Sequence, residues 1–150
     1  MSKLSAALKI DSSIRIKSFV LNKNKFQVKV PLNGEIDEIN KRIYTVTDEE
    51  AKPRLDKMSE AFKDSKADNV VINGDDIVVD GKSIKETVTS VIYMERKITE
   101  YFRLLVPTTG DFSNITYEDI EAEFPLQIQF ELLEAIIGAI QPGYKEAKKN

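Results

Sequence analysis

Cysteine, histidine and tryptophan are all missing from these 150 residues. Without cysteine there is no disulfide, no thiol nucleophile and no zinc–thiolate site. Without histidine the chain lacks the side chain that most often serves as base or metal ligand near neutral pH. Chemistry is left to carboxylates, amines, guanidinium groups and hydroxyls, among which no matched acid–base pair stands out, so no catalytic residue and no cofactor are expected. The longest dense apolar stretch, Phe130 to Ile140, is broken by Glu131 and Glu134 and is too short to span a bilayer. Lysines interrupt Met1 to Ile10 before it reaches the length of an export signal, so a soluble protein that stays in the cytoplasm is expected. A formal charge of −3 gives no reason to favour nucleic acid or a membrane surface. Lys145, Lys148 and Lys149 form the one local basic cluster and read as part of a solvated, flexible tail over about 142–150.

What is present fits a globular domain. Hydrophobic residues make up 41% and charged residues 31%, with both signs interspersed. Ile14, Ile16, Phe19 and Leu21, then Phe26, Val28 and Val30, alternate with polar residues on either side of Asn22 to Lys25, which predicts a hairpin over about 13–30 with a bulge near Ser18. From Asn33 the period changes. Ile36, Ile39 and Ile43 fall on one helical face, Thr47 caps a second helix carrying Leu55, Met58 and Phe62, and Pro53 is placed in that helix's first turn. Val70–Ile72 and Ile77–Val79 flank Asn73-Gly74, the strongest short-range hairpin signal in the chain. Asp80 or Ser83 caps the longest helix, which runs towards Leu105, Thr116 caps a short helix through Glu123, and Pro125 starts a last one ending near Ile140. The expectation is one predominantly helical α+β domain over 1–150, with two short hairpins, about five helices, and a helical body over about 33–140.

Two groups of carboxylates invite a chemical reading. Asp75, Asp76 and Asp80 lie around the second hairpin, but their spacing does not match a calcium loop and Asp-rich turns are common, so no metal is assigned to them. Glu95 falls in the middle of the apolar face made by Ile84, Val88, Val91, Ile98 and Phe102. It is read as structural, either paired with an arginine such as Arg42 or Arg54 or placed at the edge of the core.

The last helix is apolar around well over half its circumference. Leu126, Phe130, Leu133, Ile137 and Ile140 form one stripe, expected to pack on the core. Ile128, Leu132, Ile136 and Ala139 form a second beside it, from which Ile128, Leu132 and Ile136 are the expected partner-binding residues.

The ending Phe130-Glu-Leu-Leu-Glu-Ala-Ile-Ile-Gly-Ala-Ile140, followed by Pro142-Gly-Tyr144-Lys-Glu-Ala-Lys-Lys-Asn150, together with an N-terminal hairpin and an α-rich body, resembles the tail assembly chaperones of long-tailed bacteriophages. The resemblance implies a non-enzymatic protein of the host cytoplasm that coats the helical tape-measure protein, gives way to tail-tube protein, often self-associates, and is absent from the mature virion. It also implies a longer, frameshifted product, for which Lys148-Lys149-Asn150 is a tripeptide that slippery codons could encode. A structural virion subunit, such as a tail-tube or head–tail connector protein, would need more and longer strands. A generic protein-binding adaptor is the remaining alternative.

Overall fold

The computed structural model describes residues 3–73 and 76–141. Twelve segments follow in order. They are α1 (Lys3–Leu8), a 3-10 turn (Ser12–Arg15), β1 (Ile16–Leu21), β2 (Asn24–Lys29), α2 (Asn33–Tyr44), α3 (Asp48–Phe62), β3 (Val70–Asn73), β4 (Asp76–Val79), β5 (Lys82–Ser83), α4 (Ile84–Phe102), α5 (Tyr117–Glu123) and α6 (Leu126–Ile140). The fold is α+β and predominantly helical. The chain gathers into two compact units, residues 1–39 with 97–150, and residues 40–96.

In the first unit β1 and β2 form an antiparallel hairpin in unbroken register from Ile16 opposite Lys29 to Leu21 opposite Asn24. The bulge expected near Ser18 is absent. The change of phase arises because Ile14 belongs to the 3-10 turn, where the Asp11 carboxylate caps Ser13 N–H at 2.9 Å. Phe19 and Phe26 stack across the hairpin with centroids 5.3 Å apart, and Val28 is fully buried. The connection is two residues, Asn22 and Lys23, both at positive φ (51° and 68°), as the twist of a tight hairpin demands. Asn tolerates that conformation, whereas Lys carries a Cβ penalty there of about 1–2 kcal/mol. Lys23→Gly should therefore raise the thermal unfolding midpoint by the equivalent of about 1 kcal/mol. An unchanged or lower midpoint would mean that the turn is not strained.

Beyond α4 the chain runs alongside β2. Lys29 N–H donates to the Leu104 carbonyl at 2.9 Å and Val106 N–H to the Gln27 carbonyl at 2.8 Å, pairing Val28 with Leu105. α4 accordingly stops at Phe102 rather than reaching Leu105, since the chain turns at 103–104 and Leu105 is committed to the bridge with Val28. α6 packs on both strands of the hairpin.

The Glu35 side chain reaches back to accept from Leu32 N–H at 2.9 Å and pairs with Arg15, whose Nε also donates to the Val30 carbonyl. The Leu32 N–H first, and Arg15 after it, hold the Glu35 carboxyl below its ordinary value of 4.5. A depressed folded-state pKa contributes stability that is fully present above 4.5 and is lost as pH falls through the folded value. Glu35→Gln should consequently flatten the acid limb of stability against pH below 4.5. Parallel acid limbs in the two proteins would remove Glu35 from the account.

In the second unit the Thr47 hydroxyl accepts from Glu50 N–H at 3.2 Å and starts α3 as expected. Pro53 does not lie in the first turn. It sits in the second, five residues after Asp48, where its missing N–H deprives the Glu49 carbonyl of its helical donor. No residue of α3 is buried, and Leu55, Met58 and Phe62 are half-buried. The hairpin around Asn73-Gly74 is present, with Asn73 opposite Asp76, although Gly74 and Asp75 lie outside the described residues. A third strand extends it. Asp80 and Gly81, both at positive φ (54° and 79°), make a second two-residue turn into β5. Asp80 is thus a turn residue and not a helix cap. Ser83 stands at the start of α4, its hydroxyl accepting from Lys85 N–H at 3.2 Å and donating to Asp76 at 2.9 Å.

Candidate functional site

The rotation of α6 about its own axis decides which of its side chains a partner could reach. The preceding α5 is fixed by a reciprocal capping box, in which Asp119 N–H donates to the Thr116 hydroxyl and Thr116 N–H to the Asp119 carboxylate. Pro125 then serves as N-cap of α6 with no side-chain cap bond. Two bonds lock the next turn. Gln129 Nε2 donates to the Phe124 carbonyl at 2.8 Å, and the Tyr117 hydroxyl donates to Gln129 Oε1 at 2.9 Å. With its amide satisfied, Gln129 is buried among apolar neighbours and turns Leu132, Leu133, Ile136 and Ile140 inward with it.

This arrangement keeps Leu133 and Ile140 in the core as expected and corrects the rest of the assignment of the two stripes. Leu132 and Ile136, expected at a partner contact, are 1% and 0% exposed, and Ile128 is half-buried. Leu126 and Phe130, expected in the core, are 47% and 38% exposed, with half-buried Ile137 on the same edge. The physical reason is that the apolar arc of α6 is centred between Ile136 and Gln129, so both stripes are flanks of one buried face and its outer margin is the Leu126–Phe130–Ile137 edge. Gln129 is the residue that sequence reasoning missed. Its polar side chain looks like a break in the arc, and only the centre of that arc betrays its burial.

The second unit offers open clefts between α3 and α4. One, of about 410 Å³, is lined by Asp48, Glu49, Ala51, Lys52 and Leu55 of α3 and by Lys85, Val88 and Thr89 of α4. Another, of about 380 Å³, lies among Met58, Phe62, Val79, Asp80, Lys82, Ile84 and Thr87. α3 is tied to α4 by ion pairs. Arg54 grips Glu95 in a two-pronged pair, one prong at 2.6 Å, so of the two arginines expected for Glu95 the structure selects Arg54. Arg96 pairs with Glu50 and also donates to the carbonyls of Arg42 (3.1 Å) and Thr45 (2.8 Å). Arg96 is the main influence holding the Glu50 carboxyl below its ordinary value.

Comparison with protein-family models, with curated proteins and with solved structures finds no match for this chain. Among the described residues no group of three or more acidic side chains is placed to hold a metal ion, and Asp75 lies outside them. Asp76 is engaged by Ser83, and Asp80 serves its turn. Glu95 is bound to Arg54, with its side chain 16% exposed, and faces neither cleft wall. No helix among the described residues is long and apolar enough to cross a membrane. Lys145, Lys148 and Lys149 lie outside the described residues.

Proposed function

We propose that this chain is a non-enzymatic protein-binding module, and that its role is that of a tail assembly chaperone of a long-tailed bacteriophage. In this proposal it holds the helical tape-measure protein along the outer edge of α6, helps recruit tail-tube subunits in the host cytoplasm, and is left behind when the virion is complete. The observation that carries the binding role is the Leu126–Phe130–Ile137 edge, an exposed apolar margin beside the buried face of the same helix. Helix-on-helix docking needs such an edge, with anchors one turn apart. The chaperone role is supported by the resemblance of residues 130–150 to that family and by the small size of the two sheets, which have two and three strands. A ring-forming tube or connector subunit would call for a larger sheet.

The test is co-expression of the full chain with helical segments of the tape-measure protein from the same locus, followed by co-purification. Wild type should retain a segment, whereas Leu126→Asp with Phe130→Asp should lose it while staying folded. Failure of every segment to co-purify would sink the chaperone role, and retention by the double variant would remove α6 as the site.

A further inference from the structure

The hairpin of the first unit carries charge of a single sign. Between Asp11 and Glu35 the sequence contains Arg15, Lys17, Lys23, Lys25 and Lys29 and neither aspartate nor glutamate, in a chain whose formal charge is −3. Arg15 is taken up by Glu35. The lysines are exposed and form no ion pair among the described residues. Phe19, Leu21, Phe26 and Val28 turn towards the core, which leaves Ser18, Val20, Lys25, Gln27 and Lys29 exposed on the outer face. Val20, directly opposite Lys25, is 68% exposed.

The backbone of β1 adds a row of hydrogen-bonding groups. Lys29 N–H and the Gln27 carbonyl point away from β1, towards Leu104 and Val106. In the alternating ladder of an antiparallel pair, the residues across from Lys29, Gln27 and Lys25, which are Ile16, Ser18 and Val20, must therefore point their peptide groups out from the other side of the hairpin. Ile16 N–H is returned to the Ser13 carbonyl. The Ile16 carbonyl and both peptide groups of Ser18 and Val20 have no strand beside them among the described residues. Lysines often guard an open edge, but Lys25 and Lys29 belong to β2, whose own outer side is already paired, and the outer face of β1 is uncharged.

We infer that the β1 edge takes an extended, acidic segment of another protein as an added strand, bonded through the backbone to Ser18 and Val20, with carboxylates reaching over Val20 to Lys25 and Lys29. The reach is two strand spacings, roughly 10 Å, which a glutamate and a lysine side chain span together. Charge and conformation exclude the occupants nearest to hand. A second copy offering the same edge would set one basic hairpin against another. The densest acidic stretches of the chain itself, Asp48 to Glu50 and Glu118 to Glu123, lie within α3 and α5, where their backbone serves the helices. Residues 142–150 carry Lys145, Lys148 and Lys149 against Glu146 alone. Nucleic acid fits less well, because a phosphodiester has no donor for the carbonyls of Ser18 and Val20, and Phe19 and Phe26 stack on the inner face, leaving the outer one without an aromatic platform for bases. A helical partner has its backbone groups already bonded, so this edge and the outer edge of α6 serve different contacts, and failure of either leaves the other standing.

The test is fluorescence anisotropy of a labelled peptide of alternating glutamate and valine, about six residues long, titrated with the full chain. The peptide should bind, more weakly as salt is raised, and its alternating lysine–valine counterpart should not. Lys25→Glu with Lys29→Glu should weaken binding about ten-fold or more, with circular dichroism unchanged. Should that variant fail to fold, Lys25→Gln with Lys29→Gln takes its place. Two further peptides, N-methylated at the glutamate amides in one and at the valine amides in the other, probe the backbone pairing without altering the protein. One should bind about ten-fold or more weakly and the other like the parent peptide, because only alternate amides face β1. An acidic peptide that does not bind, equal binding after the lysines are replaced, N-methylated peptides that behave alike, or a preference for a single-stranded oligonucleotide over the peptide would each overturn the added strand.

Discussion

Leu132→Asp or Ile136→Asp should abolish the folded state of the first unit, while Phe130→Asp leaves it intact. Leu132 and Ile136 are almost completely buried on the face of α6 that turns with Gln129. An aspartate at either place has no cationic partner in that arc, so it must be buried as an unpaired charge or protonate, in addition to losing the apolar contacts of the original side chain. Together these cost more than about 4 kcal/mol, a large part of the 5–15 kcal/mol by which a domain of this size is stable. Phe130 is more than one third exposed, and its substitution removes only part of a ring from contact. Circular dichroism and thermal melts of the three variants check the assignment. If Phe130→Asp melts like Leu132→Asp, the helix is buried on both flanks and its outer edge is no binding surface.

The second expected result concerns the clasp between α3 and α4. Arg54→Ala should destabilise the second unit by about 2 kcal/mol, whereas Glu95→Leu should cost less than half of that. The difference follows from where the two charges sit. Arg54 is nearly half exposed and can be removed into water with little consequence of its own, but Glu95 is five-sixths covered and loses its two-pronged partner. A carboxylate left in that position keeps its desolvation penalty without the compensating charge. Glu95→Leu deletes the buried charge and fills the place with apolar volume. Urea denaturation of both variants gives the comparison directly, and equal losses would mean that the pair acts only as a surface contact.

Much of the fold was legible because local chemistry dictated it. Thr47 and Thr116 are caps in the structure as in the sequence, the runs Val70–Ile72 and Ile77–Val79 pair as a hairpin, and the position of Glu95 among apolar residues is matched by an arginine. Asp80-Gly81 carried an equally good turn signal, yet it was obscured because Asp is also a helix-capping residue and the strand it opens has only two residues. The outer edge of α6 was misplaced for a different reason. A helix apolar over most of its circumference does not reveal its own rotation, which here depends on a hydrogen bond from Tyr117, in another helix, to Gln129. The clefts beside α3 depend on how closely two helices approach, and nothing in a single helix's pattern encodes that distance.

Pro53 has a consequence for the order in which this molecule opens. α3 buries none of its residues, lacks one internal hydrogen bond in its second turn, and is fastened by ion pairs that dissolved salt screens over about 8–10 Å. Among the four longer helices it is therefore the one whose amide hydrogens should exchange with deuterated solvent first, ahead of global unfolding. Raising the ionic strength should accelerate that exchange in α3 while leaving α6, whose inward face is held by apolar burial and a neutral amide, unaffected.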